Sequence, residues 1–115
     1  MNAARAGYSR RIIAVFQPHL YSRTRDFYKE FARALDLADI VYLTDIYPAR
    51  EEPMPGISGE LIFNEVLKEK YYIVRRENLA SEISRVVKPQ DMVIIMGAGD
   101  IWKTGNEISQ ILNQN

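Results

Sequence analysis

The chain has 115 residues, with 15 Lys and Arg balancing 15 Asp and Glu, and 47% of its residues are hydrophobic. That size fits one domain with its own core, and the composition is that of a folded globular protein rather than a disordered one. A net charge of zero leaves no clustered basic footprint for nucleic acid, and the lack of cysteine removes disulfides and thiolate metal sites. Apolar runs such as Met92 to Met96 are far too short to cross a bilayer, and residues 1–10 are polar, with no signal-peptide core. The expectation is a cytoplasmic protein with no nucleic-acid or membrane partner.

In chain order, Ile12-Ile13-Ala14-Val15-Phe16 is short, continuous and branched, which predicts a strand buried on both faces. Ser22 or Thr24 can cap a following helix with Asp26 in its first turn, and Phe27, Phe31, Leu35 and Ala38 then recur on one face. Ile40 to Leu43 predicts a second strand. The segment from Asp45 to Gly59, with three prolines and two glycines, predicts a long loop. A short helix is expected after Ser58 through Leu61, Ile62 and Val66, and a third strand at Tyr72-Ile73-Val74. Asn78 is a candidate N-cap for a helix carrying Leu79, Ile83, Val86 and Val87, which Pro89 stops. Met92 to Met96 reads as the clearest buried strand. Thr104 and Glu107 have the spacing of a capping box for a last helix with Ile108, Ile111 and Leu112 inward. The order βαβαβαβα predicts a three-layer, Rossmann-like α/β domain, its mainly parallel sheet covered by helices on both faces.

In such a sheet all four post-strand loops emerge at one edge, where ligands bind in open α/β folds. The first loop holds the only histidine, His19, with Arg23 and Arg25. Arginine offers a rigid fork for a carboxylate or phosphate, so this turn can bind an anion. Equally, His19 can brace the loop and Arg25 can lie on a solvated helix face. Gly97-Ala98-Gly99 could cradle a phosphate or form a structural tight turn, and Trp102 stands where a dinucleotide fingerprint needs a third glycine. Glu51 and Glu52 are consecutive and point apart in an extended loop, which argues against a metal pair there. No phosphate-loop signature, nucleophile elbow or histidine pair is present.

Three separated segments nevertheless occur together. Phe16-Gln17-Pro18-His19 with Tyr21-Ser22-Arg23-Thr24-Arg25-Asp26, then Asp45-Ile46-Tyr47-Pro48-Ala49-Arg50-Glu51 with Pro55-Gly56, then Gly97-Ala98-Gly99-Asp100-Ile101 resemble the C-terminal domain of Mur ligases, in particular those joining L-alanine to UDP-N-acetylmuramate. The resemblance runs from about Ala3 to Leu112. It implies that residues 1–115 are one amino-acid-presenting domain, with the N-terminal sugar-nucleotide domain and the central ATPase domain absent. It further implies an ATP- and Mg2+-dependent step of peptidoglycan synthesis that needs those domains, so the domain alone is expected to be inactive and to hold neither cofactor tightly. By motif match His19 and Arg23 would hold L-alanine, with Tyr21, Thr24, Tyr47, Gly97, Gly99 and Asp100 as possible cleft-lining residues and no metal ligand. Leu20 departs from the family pattern, in which an arginine often follows the histidine. Rival readings are the same domain of a related amide ligase, or a free-standing flavodoxin-like binding or signalling module. A phosphoacceptor receiver would need acidic residues where Gln17, Pro18 and Arg75 stand.

Overall fold

A computed structural model describes residues 10–97 and 99–113. Four strands, β1 (Ile12–Gln17), β2 (Ile40–Leu43), β3 (Glu69–Tyr72) and β4 (Met92–Gly97), form one sheet in the order β3-β2-β1-β4. Every pairing is parallel. The helices are α1 (Tyr21–Leu35), α2 (Glu60–Glu65), α3 (Leu79–Ser84), entered through a 3-10 turn at Arg76–Asn78, and α4 (Lys103–Asn113).

Alternation along β1 builds two cores from one strand. Ile12 and Ala14 meet Ala32 and Leu35 of α1 and Ile62 of α2, while Ile13 and Val15 meet Leu79 and Ile83 of α3 and Ile108 of α4. A strand with no solvent face has no use for polar residues, hence the unbroken apolar run. The expected three-layer arrangement is therefore present.

Several local expectations need correction. The third strand is Glu69–Tyr72, not Tyr72–Val74. It is an edge strand whose register is set by pairing with β2, Ile40 opposite Glu69 and Leu43 opposite Tyr72. Its exposed Glu69 and Tyr71 hide it from an apolar-run search. β4 is likewise an edge, so its residues are half-buried rather than buried. α1 begins at Tyr21 after Leu20, with no acidic residue in its first turn, so neither Ser22 nor Thr24 is the cap. Non-helical dihedrals at Phe27 kink this helix and leave that ring 48% exposed, off the inner face. Asn78 makes no side-chain cap bond, and Leu112 faces outward. Thr104 and Glu107 do not pair as a box, because the Arg76 guanidinium donates to both, at 3.3 and 2.8 Å.

Candidate functional site

Strand order decides where a crevice opens. β1 and β4 are neighbours, but the chain leaves β1 toward α1 on one face and leaves β4 toward α4 on the other. The loops on their carboxyl ends therefore diverge, and such a switch point is where open α/β sheets hold ligands. The first loop carries His19 and leads into Arg23. The fourth, after β4, carries Gly97 and Gly99.

The long second loop fastens this rim. Tyr47 donates its N–H to the Pro18 carbonyl at 2.8 Å and accepts from the Leu20 N–H at 3.0 Å, so the Asp45–Ser58 segment is zipped to the first loop across an isolated parallel bridge at His19. The Tyr47 ring lies 6.1 Å from the His19 ring at an interplanar angle of 30°. Tyr47 also packs on Gly99, where a Cβ would stand 2.8 Å from the tyrosine Cδ2. Asp45 closes the base of the loop: its Oδ1 accepts from the Ile46 N–H at 2.9 Å and from the Tyr72 hydroxyl at 3.1 Å. Burial and the nearby Asp45 charge both push the Tyr72 phenol pKa up, keeping it a donor.

Leu20, at φ 72 and ψ 138, occupies backbone space that costs a branched side chain. Its carbonyl accepts from both the Thr24 N–H at 3.2 Å and the Thr24 hydroxyl at 3.0 Å. The cap that Leu20 cannot provide comes from Glu51, thirty residues on. One carboxylate oxygen accepts from the Tyr21 N–H at 2.5 Å and the Ser22 N–H at 3.2 Å, and the other accepts from the Ser22 hydroxyl at 2.5 Å. A negative charge at a helix N-terminus is favoured by the unpaired N–H groups and the helix dipole. The Ser22 hydroxyl bond, reinforced by the two N–H bonds, lowers the Glu51 pKa below its ordinary 4.5.

A pH dependence follows from that sign. The depressed value means this link contributes fully above about pH 4.5 and is lost as pH falls through the lowered folded-state pKa. Protection of the Tyr21 and Ser22 amides, measured against their intrinsic exchange rate at each pH, should fall on acidification in the native protein but be low at every pH in Glu51→Ala. Equal protection of those two amides in protein and variant would remove Glu51 as the cap.

The expected site residues divide accordingly. His19 and Arg23 are exposed on the rim, and Arg23 forms no ion pair or hydrogen bond among the described residues. Tyr21 is half-buried, and Tyr47 is 41% exposed. Thr24 is fully buried with its hydroxyl committed to Leu20, so it supports the turn and does not line a cleft. Arg25 is held by the neighbouring Asp26 at 2.9 Å. Asp100 turns toward Arg76, 3.4 Å away, and so ties the fourth loop to the third. Gly97 sits against Gln17 in the β1–β4 pair, its role structural. No group of three or more His, Cys, Asp or Glu side chains gathers among the described residues. The capping role of Glu51 lay beyond sequence reasoning, because its partners are far away in the chain; Tyr47 was legible as part of a family motif, but its contacts with His19 and Gly99 were not.

An open parallel sheet with helices on both faces and its loops fastened at the switch point is a domain of the doubly wound α/β class. Residues 1–99 match the family described as Mur ligase, glutamate ligase domain, and the chain belongs to that family. It is 50% identical over 102 residues to a UDP-N-acetylmuramate--L-alanine ligase of Rhodococcus erythropolis, covering 89% of this chain and 20% of that protein. It is 49% identical over 98 residues to the one of Cutibacterium acnes, covering 83% and 21%, and 42% identical over 114 residues to the one of Geotalea uraniireducens, covering 96% and 25%. The chain thus spans about a fifth to a quarter of the length of these relatives. In structure it is similar to a domain assigned to a UDP-N-acetylmuramate:L-alanyl-gamma-D-glutamyl-medo-diaminopimelate ligase of Haemophilus ducreyi, with a TM-score of 0.69 and 22% identity, covering 96% of this chain and 76% of that one. At that identity the likeness concerns the fold alone. No described helix is long and apolar enough to cross a membrane.

Proposed function

We propose that this chain is the amino-acid-presenting domain of a cytoplasmic, ATP-dependent ligase that joins L-alanine to UDP-N-acetylmuramate in peptidoglycan synthesis. The observation that supports the reading is the meeting of His19, Tyr47 and Gly99 at the sheet's switch point, with Arg23 exposed in the first turn of the helix that follows, in a chain up to half identical to proteins named for that reaction. In that reaction the muramate carboxylate is phosphorylated, the alanine amine attacks the acyl carbon, and phosphate leaves. ATP and Mg2+ belong to the rest of the protein in this reading, since the residues described here offer no cluster of metal ligands and the sequence has no phosphate loop.

The role of this domain is orientation. Arg23, which has no hydrogen bond or ion pair among the described residues, is the group suited to grip the α-carboxylate of the amino acid by paired N–H donors. His19, in the loop that leads into this helix and in contact with Tyr47, offers a second polar contact. A carboxylate gripped this way leaves the amine free to face the acyl phosphate across the domain boundary, and holding a nucleophile in line is itself a large part of such catalysis.

In the full-length ligase, Arg23→Ala should raise the KM for L-alanine and lower kcat/KM by roughly 10- to 150-fold, about 1.5–3 kcal/mol for a charge-assisted bond. An unaltered alanine KM would refute the assignment. Amino-acid competition in the same assay separates this ligase from relatives that add other residues.

A further inference from the structure

We propose that Tyr47 is the positioning residue of this rim: it sets the angle of the His19 ring, and position 99 is glycine because Tyr47 lies against it. The inference deepens the functional reading above and rests on it for its kinetic consequence, though not for its structural one.

Four contacts converge on Tyr47. Its N–H and carbonyl bond to Pro18 and Leu20, the residues immediately before and after His19, so its backbone brackets the histidine. Its ring stands 6.1 Å from the imidazole, tilted by 30°, the separation of an interacting aromatic pair. The ring also packs on the bare Cα of Gly99, where a Cβ would come within 2.8 Å of Cδ2 and 3.1 Å of Cε2. Among the described residues His19 has no hydrogen bond or ion pair, so this ring contact is what orients it within the bracketed backbone. A change at Gly99 therefore reaches His19 through the tyrosine ring, although no direct contact links them.

Glycine at 99 has a second reason, its φ of +65°, which any L side chain finds strained. The two reasons separate in a double-mutant cycle, because strain persists when the ring is removed while the clash does not.

His19 is the only histidine, so its imidazole gives one isolated set of NMR signals in this chain. Tyr47→Ala should move those signals by removing the ring, and Gly99→Ala should move them by displacing it. In the Tyr47→Ala background, adding Gly99→Ala should leave them where Tyr47→Ala put them. Tyr47→Phe, which keeps the ring and drops a hydroxyl that has no partner among the described residues, should leave them near their original place and show that the loop still folds. Imidazole signals indifferent to Tyr47→Ala, or a Gly99→Ala effect that survives without the ring, would overturn the proposal. In the full-length ligase, Tyr47→Ala should raise the KM for L-alanine and cut kcat/KM by about ten- to a hundredfold with the ATP KM held, the scale of a misplaced binding group. Moved signals with an unchanged alanine KM would uphold Tyr47 as the positioner of His19 and overturn the amino-acid role of His19 instead.

Discussion

Replacing Gly97 by alanine should lower the unfolding free energy by about 3–5 kcal/mol, the largest effect expected of any single methyl group in this chain. Gly97 ends β4 at φ +130°, opposite Gln17 at the end of β1. A Cβ built there stands 2.3 Å from the Gln17 carbonyl oxygen, 3.0 Å from its carbonyl carbon and 2.9 Å from its nitrogen. All three are main-chain atoms of a central strand, so no side chain can swing aside to relieve the contact. Either β4 peels away from the last pair of its ladder or β1 shifts, and each opens the switch point from which both rim loops depart. Urea denaturation measures the loss directly, and a change below about 1 kcal/mol would mean that the two strand ends separate at little cost. Because the clash sits beneath the rim, the same variant in the full-length ligase should lose alanine affinity as well as stability.

The second large effect lies at the opposite end of the sheet. Arg11 precedes β1 and Asp91 precedes β4, and the guanidinium grips the carboxylate from Nε at 3.2 Å and from Nη2 at 2.6 Å. Asp91 also accepts from the Lys88 N–H at 2.8 Å, and Arg11 donates to the Val86 carbonyl at 2.8 Å. The Asp91 side chain is only 7% exposed while that of Arg11 is 30% exposed, so removing the carboxylate strips a half-sheltered guanidinium of its charged partner, leaving it the Val86 carbonyl, and takes the acceptor from the Lys88 N–H. Asp91→Ala should cost about 2–4 kcal/mol, between the value of a charged hydrogen bond and that of a broken buried pair.

The pH signature identifies the cause. Arg11, by hydrogen bonding first and charge second, holds the Asp91 carboxyl below its ordinary 3.8. A depressed carboxyl stabilises the fold above its unfolded-state value and stops doing so as pH falls through the folded one, so native stability should decline as the pH drops below about 4. Asp91→Ala should shrink that decline. A decline of equal size in the variant would place the acid sensitivity elsewhere, with Glu51 the next group to examine. The pair lies far from the rim, so the imidazole signals of His19 should be unchanged in folded Asp91→Ala.

The sequence by itself determined the layer architecture and the edge at which loops gather. Ile12 to Phe16 and Ile40 to Leu43 are continuous apolar runs because a strand covered on both faces meets no water, and that pattern survives in one dimension. The family motifs were equally legible, since they are local strings, and they pointed to His19, Arg23, Tyr47 and Gly99 before any geometry. Edges and caps were not legible. β3 carries Glu69 and Lys70 because one side of an edge strand is wet, so its place is decided by pairing with β2 rather than by its own composition. The α1 cap belongs to Glu51 and not to Ser22 or Thr24, because hydrogen-bond partners are chosen by distance in space. Arg76 took Thr104 and Glu107 for the same reason. The contact of Tyr47 with both His19 and Gly99 is a relation among three loops, and only the parallel pairing of β1, β2 and β4 brings those loops to one rim.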